Sequence, residues 1–301
     1  MFKNISIVGC GLIGSSILRF LNKEKLSDQI NIYDKSKEVL SFLKENKLAK
    51  NVFDDLKKAC TNADLIIIAT PLSAYEEILL SLKNCIKANA IITDVGSVKK
   101  EINELITNLK LKNISWIASH PIAGTEFSGP HSGFAELFVN RWCIVSPSLD
   151  ANKKDIEKIK KFWELAGSKV KIMSFEEHDH ILSLTSHLPH AIAYNIVRTT
   201  INNGDKFRQD VIQYSAGGLR DFTRIAASDP IMWRDIFIHN SENILKVLDD
   251  FSINLDEMKK KIKEKNGNEL LKIFNSTKDL RKDIIKAGQD TTKADFGRKK
   301  S

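Results

Sequence analysis

A glycine-rich turn between a buried strand and a helix constrains this chain more than any other feature of its sequence. Residues 5–8 (Ile-Ser-Ile-Val) are an apolar run typical of a parallel strand that is covered on both faces. Gly9, Gly11 and Gly14 follow at the G-x-G-x-x-G spacing, and residues 12–21 change to helical periodicity. The first glycine permits the tight turn, the second lets a pyrophosphate approach the backbone, and the third lets helix and strand pack closely. The turn therefore predicts a dinucleotide site at a helix N-terminus.

A second strand ends in an acidic residue at the position expected for ribose binding. Residues 31–34 read Asn-Ile-Tyr-Asp, and Asp34 lies twenty positions after Gly14. A carboxylate at this strand end accepts hydrogen bonds from the ribose hydroxyls and repels a 2′-phosphate, so the sequence favours NAD over NADP. Asp34 could instead be only the N-cap of the next helix, and Lys35 leaves weaker use of NADP open.

The first half of the chain alternates strands and helices, and the second half is helical. Further strands are expected at 64–70, 90–94, 115–118, 142–145 and 169–173, after which strand signals stop. We expect an α/β fold in which an N-terminal Rossmann-type nucleotide-binding domain is followed by an all-helical dimerisation domain. The predicted divisions are an NAD-binding domain at 1–174, a helical substrate and dimerisation domain at 175–286, and a basic, disordered tail at 287–301.

Composition excludes several classes of protein. The content is ordinary for a globular chain, with 42% hydrophobic and 28% charged residues, and neither a membrane span nor a signal peptide is visible. The four cysteines lie far apart and form no C-x-x-C pair, so we expect a reducing, cytoplasmic location. Half of the net charge of +8 lies in residues 281–301, which hold seven Lys or Arg and three Asp. We therefore expect neither a nucleic-acid nor a membrane partner.

Two long helices are expected in the second half. One covers 176–198 and should bend at Pro189, and the other begins at the cap formed by 228–230 and continues to about 266. The second helix carries an apolar stripe with spacings of 4, 3, 4, 3 and 4, formed by Ile244, Leu248, Phe251, Leu255, Met258 and Ile262. Such a stripe serves either an internal core or a second subunit, and in a small helical domain it favours a homodimer.

Three polar loops should meet at one crevice, because ligands of an open parallel sheet bind at the carboxyl ends of its strands. These loops are 70–71, 94–97 and 119–124. His120 follows a strand end beside the expected nicotinamide, which favours a general base over a histidine that merely bonds its own loop. Ser97 could cap the helix that begins at 98, act in the site, or both. The cofactor site should also include Leu12, Ile13, Thr70 and Pro71.

One face of the first long helix is polar and should line a pocket. It carries Ser183, His187, His190 and Tyr194, while His178 and His180 are interpreted as surface residues. His187 and His190, at i and i+3, have no carboxylate or cysteine near them at ligand spacing, so no metal is expected.

Two arginines suit an acidic substrate. Arg220 and Arg224 lie one helical turn apart and follow a glycine pair, and a guanidinium binds a carboxylate through two hydrogen bonds. The alternative is that both form surface ion pairs with Asp221 or Glu126.

Taken together, these segments resemble the prephenate and arogenate (cyclohexadienyl) dehydrogenases of tyrosine biosynthesis. The resemblance extends from residue 3 to about 285 and is carried by motifs at 8–16, 94–99, 119–129, 186–190, 217–225 and 229–235. It implies a small cyclohexadienyl substrate, prephenate and/or arogenate, which is oxidatively decarboxylated to 4-hydroxyphenylpyruvate or tyrosine with NAD. It also implies that His120 is the base on the ring hydroxyl and that Ser97 assists it.

The same resemblance implies the substrate ligands. They would be His187 and Arg220, with Gly217 beside them and Glu126 as a gate near the arginine. Two other functions stay open from the residues alone. One is a related β-hydroxyacid dehydrogenase or imine reductase, whose hydroxyacid members use a lysine base on the helix where this chain has histidines. The other is a non-catalytic protein that senses NAD or binds nucleic acid, for which no helix-turn-helix or basic stripe is visible.

Overall fold

The computed structural model describes residues 1–111, 114–202 and 208–287, and contains one eight-stranded sheet followed by a helical region. The strands are β1 (Asn4–Val8), β2 (Gln29–Tyr33), β3 (Asn51–Phe53), β4 (Leu65–Ile68), β5 (Ala90–Asp94), β6 (Ile114–Pro121), β7 (Trp142–Pro147) and β8 (Lys169–Ile172). Their order across the sheet is β3-β2-β1-β4-β5-β6-β7-β8, and only the β6–β7 pair is antiparallel. The expected α/β nucleotide-binding fold is thereby confirmed.

Six helices cover the two faces of the sheet. They are α1 (Leu12–Glu24), α2 (Lys37–Glu45), α3 (Leu56–Cys60), α4 (Tyr75–Leu82), α5 (Lys100–Leu109) and α6 (Lys153–Leu165). Helices α1, α2 and α6 contribute to one buried cluster, and α3, α4 and α5 contribute to the other. Successive residues of β4 alternate between these clusters, because a strand covered on both faces buries every side chain. The first half is thus a three-layer α/β structure.

Strand β6 is longer than the sequence predicts, so the strand includes the candidate base. The strand was expected at 115–118, but pairing with β7 continues as far as Pro121 opposite Cys143. His120 therefore lies inside the strand, opposite Ile144, and not in the loop beyond it. Proline is tolerated at this point because it is the last residue of the strand.

The helical region begins at Phe175. Its helices are α7 (Phe175–Leu182), α8 (Leu188–Asn202), α9 (Arg208–Gln213), α10 (Gly217–Ala226), α11 (Pro230–His239), α12 (Ser241–Lys263) and α13 (Gly267–Lys286). A π-helical turn (Ser183–His187) separates α7 from α8 directly before Pro189, whose missing N–H loosens the preceding turn. The expected interruption of this helix at Pro189 is confirmed. The predicted tail at 287–301 lies outside the described residues, apart from Ala287. Within the described ranges, no helix is long and apolar enough to cross a membrane.

The second long helix is not continuous, and this prediction was wrong. The chain leaves helical geometry at Asn240 (φ −116°, ψ 28°), between α11 and α12. Asn240 is buried, and its side-chain amide donates hydrogen bonds to the carbonyl of Asp179 and to Nδ1 of His187. No glycine or proline marks this break. A buried side chain with tertiary partners produces it.

Candidate active site

The glycine turn has the geometry that its spacing predicts. Gly9 has φ +91°, where a side chain would be strained, and a Cβ on Gly14 would lie 2.1 Å from the carbonyl oxygen of Gly9. A Cβ on Gly11 would meet no atom within 4 Å, so the space in front of it is open. Gly11 makes no side-chain cap to α1, which leaves the first N–H groups of that helix available to a ligand.

Asp34 lies directly beyond β2 and is tied to the glycine turn. Its carboxylate accepts hydrogen bonds from the backbone N–H groups of Cys10, at 2.8 Å, and Ser36, at 2.9 Å. Ser36 is the N-cap of α2, since its hydroxyl accepts from the N–H of Val39. The alternative in which Asp34 serves only as that N-cap is therefore wrong.

The three predicted loops do meet at one cleft, which has a volume of about 470 Å³. It is lined by Gly11, Leu12 and Ile13 from the glycine turn, by Thr70 and Pro71 after β4, and by Ser97 and His120. Gly9, Gly14 and Asp34 do not line it. The Thr70 hydroxyl is buried without a hydrogen-bond partner among the described residues. The open space at Gly11 and an unsatisfied hydroxyl in the same cleft fit a bound dinucleotide.

A second cavity of about 400 Å³ joins this cleft to the helical region. Ser97 and His120 line both cavities. The helical region contributes polar and aromatic walls, namely Ser186, His190, Arg224, Ser228 and Trp233. His120 and Ser97 thus lie where a cofactor in the first cavity would meet a small molecule in the second.

His120 has a buried partner that the sequence interpretation missed. Its Nδ1 lies 2.8 Å from Nε2 of His178, and Nδ1 of His178 lies 2.7 Å from a carboxylate oxygen of Asp179. His178 is fully buried, so its interpretation as a surface residue was wrong, whereas His180 is exposed as expected. A signal existed in the sequence, because 178 lies on the same helical face as the buried Phe175 and Leu182.

The surroundings of His120 keep its imidazole neutral. Burial is the largest cause that holds the pKa of His120 well below its ordinary value. Charge repulsion lowers this pKa further, in order of size from His178, Lys99 and His187. Burial also lowers the pKa of His178, although its hydrogen bond to Asp179 works against that shift. A neutral His120 can accept a proton at neutral pH.

A buried ion pair supports the loop that follows β5. Nζ of Lys99 lies 2.6 Å from Asp94, and both side chains are fully buried. The same carboxylate accepts hydrogen bonds from Tyr75, Gly96 and the N–H of Ser119, next to His120. Asp94 therefore connects the Ser97 loop to the strand that carries the candidate base. Sequence reasoning did not single out this pair.

Ser97 does not cap α5, which corrects one of its two predicted roles. Helix α5 begins at Lys100, and the N–H groups of Lys99 and Lys100 donate to the carboxylate of Asp179, each at 2.9 Å. A side chain from α7 thus caps α5 across the junction between the two halves. The Ser97 hydroxyl, at the junction of the two cavities, has no hydrogen-bond partner among the described residues.

His187 is fully buried, and its protonation state follows from one contact. Asn240 donates to Nδ1 of His187 at 3.0 Å, so the ring proton resides on Nε2. This Nε2–H is buried without a partner in the described part of the chain. Burial lowers the pKa of His187 to about 4, which keeps the ring neutral at pH 7. His187 does not line the second cavity, but it packs edge-on against Trp233, which does.

The predicted polar face lines the pocket only in part. His190 does so and stacks on Trp233, with ring centroids 3.6 Å apart. The Ser183 hydroxyl bonds a carbonyl of its own helix, and Tyr194 packs on Phe237. Among the described residues, no group of three or more His, Cys, Asp or Glu side chains is arranged to hold a metal ion.

The two arginines of α10 have different surroundings. Arg224 lines the second cavity together with the half-buried Glu126. Arg220 is exposed and does not line that cavity, and its guanidinium lies near Gly217, which does not line it either. Within a single chain, the structure brings Arg224 to the cavity and leaves Arg220 and Gly217 outside it.

Comparison with known proteins identifies relatives along almost the whole chain. Residues 17–172 match the family described as prephenate dehydrogenase, nucleotide-binding domain, and residues 174–276 match prephenate dehydrogenase, dimerization domain. The cyclohexadienyl dehydrogenase of Zymomonas mobilis is 38% identical over 281 residues, which cover 93% of this chain and 96% of that protein. The prephenate dehydrogenase of Bacillus subtilis is 32% identical, over 93% of this chain and 76% of its own length.

A solved structure agrees with these relatives. The prephenate dehydrogenase of Aquifex aeolicus, in complex with hydroxyphenyl propionate and NAD+, superposes with a TM-score of 0.87 and 33% sequence identity. The match covers 94% of this chain and 99% of the Aquifex chain.

Proposed function

The chain belongs to the prephenate dehydrogenase family, and from this premise we propose that His120 is the general base of its reaction. The protein is an NAD-linked oxidoreductase of tyrosine synthesis that oxidatively decarboxylates prephenate, arogenate or both. The observation that carries the proposal is the position of a neutral, buried His120 where the two cavities join.

The substrate determines what the site must provide. It is a non-aromatic ring with a hydroxyl at one end and a carboxylate at the other. Bound NAD+ supplies the hydride acceptor for the carbon that carries the hydroxyl. Neutral His120 takes the hydroxyl proton, so that a carbonyl can form at that carbon. The carbonyl draws electrons across the ring, CO₂ departs, and aromatisation makes the step effectively irreversible.

Ser97 assists the base in this proposal. Its hydroxyl has no partner in the part of the chain that the structure describes and lies at the junction of both cavities. It belongs to a loop that the buried Asp94–Lys99 pair holds in position. A hydroxyl can donate a hydrogen bond to the substrate oxygen while that oxygen gives up its proton to His120.

The charged end of the substrate lies toward the helical region. Arg224 and His190 line the cavity on that side, and burial keeps the pKa of His190 below its ordinary value. We assign the carboxylate to Arg224 in place of Arg220, with Glu126 as a gate beside it. His187 lies behind Trp233, and its buried Nε2–H has no partner among the described residues.

The cofactor residues belong to the first cleft. The N–H groups at the start of α1 and the open face of Gly11 would hold the pyrophosphate, and Gly9 and Gly14 make that approach possible. Asp34 would bind the adenosine ribose. NAD is therefore expected to be preferred over NADP.

We also propose a homodimer and a cytoplasmic location. The dimer is supported by the apolar face of α12 and by the match to a dimerization domain. All four cysteines are free thiols, as expected in a reducing compartment. The division into domains at 174 and 175 remains a prediction, with α7 beginning at Phe175.

The test is an assay of NADH formation with prephenate and with arogenate across a range of pH. Because the base must be neutral and burial lowers the pKa of His120, activity should rise with pH along a limb that lies below 6.5. His120→Asn should lower kcat by about 10²–10⁴-fold and abolish this limb, with NAD affinity unchanged.

The matched control is His180→Asn, a change of an exposed histidine on α7 that should leave kcat and the pH limb unchanged. A His120→Asn enzyme that keeps near-normal turnover and its ascending limb would contradict the assignment of the base.

A further inference from the structure

Behind His120 lies a buried row of three side chains that ends in a carboxylate. Nδ1 of His120 lies 2.8 Å from Nε2 of His178, and Nδ1 of His178 lies 2.7 Å from Oδ1 of Asp179. His178 and Asp179 are 0% and 1% exposed. They belong to α7, whereas His120 belongs to the sheet, so the row crosses the junction between the two halves.

The hydrogen-bond partners fix the direction of every bond in this row. The carboxylate of Asp179 also accepts from the backbone N–H groups of Lys99 and Lys100, and a carboxylate only accepts. His178 must therefore donate from Nδ1, and in a neutral ring its Nε2 is then an acceptor. His120 must in turn carry its proton on Nδ1, which leaves Nε2 as the unprotonated nitrogen available to the cavities that His120 lines.

We propose that His178 and Asp179 are positioning residues that hold His120 in the tautomer in which Nε2 can accept the substrate proton. The inference rests on the proposed role of His120 as the base. Asp179 lines neither cavity and selects this tautomer of His120 through its hydrogen bond with His178.

The same row stabilises the charge that forms when His120 becomes protonated. The protonated ring keeps its Nδ1–H bonded to Nε2 of His178, and the carboxylate of Asp179 lies beyond that ring. The other ionisable groups around His120 are Lys99 with its partner Asp94, His187, and the buried thiol of Cys143. Lys99 and His187 oppose a positive charge on His120, and so does His178 whenever its own ring is protonated. Against this repulsion, protonated His120 keeps the hydrogen bond that it donates to neutral His178, whose other ring nitrogen donates to Asp179.

Two substitutions of His178 separate positioning from space filling. Phenylalanine keeps a ring of similar size but neither accepts from His120 nor donates to Asp179. Glutamine can do both, because its amide oxygen accepts and its NH₂ group donates. If His178 only fills space, His178→Phe should lower kcat less than His178→Gln. If His178 positions His120, His178→Gln should lower kcat less than His178→Phe.

We expect His178→Phe to lower kcat by about 10–100-fold, the range found when a hydrogen-bond partner that orients a metal-bound histidine is removed. The KM for prephenate and for NAD should change less than threefold. The ascending pH limb should move to lower pH, because protonated His120 loses its acceptor. His178→Gln should retain kcat within about fivefold, and His180→Phe, at an exposed site on the same helix, should match the unaltered enzyme.

A second measurement observes the tautomer of each ring in the unaltered protein and uses variants only to assign the peaks. Nitrogen-15 NMR of histidine-labelled protein, with peaks assigned from His120→Asn and His178→Gln, reports which nitrogen of each ring carries the proton. We expect both His120 and His178 to be protonated on Nδ1. A proton on Nε2 of His120, or a folded His178→Phe enzyme with unaltered kcat and pH limb, would overturn the proposal.

The outcomes also separate this inference from the proposed function. If His120 is not the base, His120→Asn retains turnover. If His120 is the base but His178 does not position it, His120→Asn loses turnover while His178→Phe does not.

Discussion

At the scale of single residues, the two arginines that the sequence left equivalent differ in their surroundings. Arg220 and Arg224 lie on the same face of α10, but only Arg224 lines the cavity that contains His120. Arg224 also affects His190 electrostatically, since its charge contributes to the lowered pKa of that histidine. The substrate carboxylate should therefore contact Arg224.

This assignment predicts different effects of two matched substitutions. Arg224→Ala should raise the KM for prephenate by about 10–100-fold, because a charge-assisted hydrogen bond contributes about 1.5–3 kcal/mol. Arg220→Ala removes an exposed arginine from the same helix and should change KM less than twofold. Steady-state kinetics at saturating NAD measures both. If Arg220→Ala raises KM more than Arg224→Ala does, Arg220 binds the substrate carboxylate as the sequence predicts, in spite of its exposure in the single chain.

Asp34 supports a second prediction at this scale. Its carboxylate is fixed at the end of β2 by the N–H groups of Cys10 and Ser36, where it would repel a 2′-phosphate. The enzyme should therefore show a higher kcat/KM with NAD than with NADP. Asp34→Ser should bring the ratio of these two kcat/KM values closer to 1. Glu38→Ser, a change of an exposed acid within α2, serves as the control and should leave the ratio unchanged. A wild-type preference for NADP would contradict this reading of the strand end.

At the scale of secondary-structure elements, the junction of α11 and α12 shows a tertiary contact overriding local periodicity. Asn240 stops the helix because its buried amide donates to Asp179 and to His187 in place of continuing the helical pattern. The break joins three elements, because Asp179 belongs to α7 and His187 to the π-helical turn. Asn240 thus connects the row behind His120 to His187.

Removing this amide should destabilise the protein. Asn240→Ala leaves Nδ1 of His187 without a partner and removes one of the two hydrogen bonds to the carbonyl of Asp179, which still accepts from the N–H of Ser183. A buried unsatisfied group costs about 1–3 kcal/mol. Urea unfolding should show a loss of about 1–3 kcal/mol in the free energy of unfolding. Asn254→Ala, at an exposed position of α12, should change stability by no more than about 0.5 kcal/mol. Equal stability of the two variants would mean that Asn240 does not hold the junction.

At the scale of the whole molecule, the apolar stripe of α12 is only partly covered. Ile244, at the start of the stripe, is 4% exposed, whereas Leu255 and Ile262 are 45% and 58% exposed. Helix α13 also carries exposed apolar side chains, among them Phe274 and Leu280. Surfaces of this kind are typical of a subunit interface, in agreement with the match to a dimerization domain.

The chain has a mass of 34.0 kDa, and light scattering at micromolar concentration should give twice that value. Ile262→Glu places a charge on the stripe and should raise the fraction of monomer. Ile253→Glu makes the same change at a residue of α12 that is 67% exposed and lies off the stripe, and it should leave the dimer intact. A monomeric wild-type protein at this concentration would contradict the proposed dimer.

The sequence by itself determined the nucleotide-binding half and the location of the crevice. The reason is physical: a glycine turn, the residue after a strand, and the periods of strands and helices are all set by neighbours within a few residues. Gly9, Gly11 and Gly14 could be assigned roles from spacing alone. The position of His120 at the crevice could also be predicted, from its place near a strand end, although the strand around it proved longer than expected.

Only the tertiary structure decided what surrounds His120 and which helices are continuous. His178 lies 58 residues from His120 in the chain, and Asn240 lies 61 from Asp179, so no local pattern links them. A histidine followed by an aspartate near a helix start suggests an exposed, polar surface. Packing of α7 against the N-terminus of α5 buries both side chains, and once buried they must pair with whatever polar groups lie nearest. In this fold those groups are the backbone of Lys99 and Lys100 and the imidazole of His120.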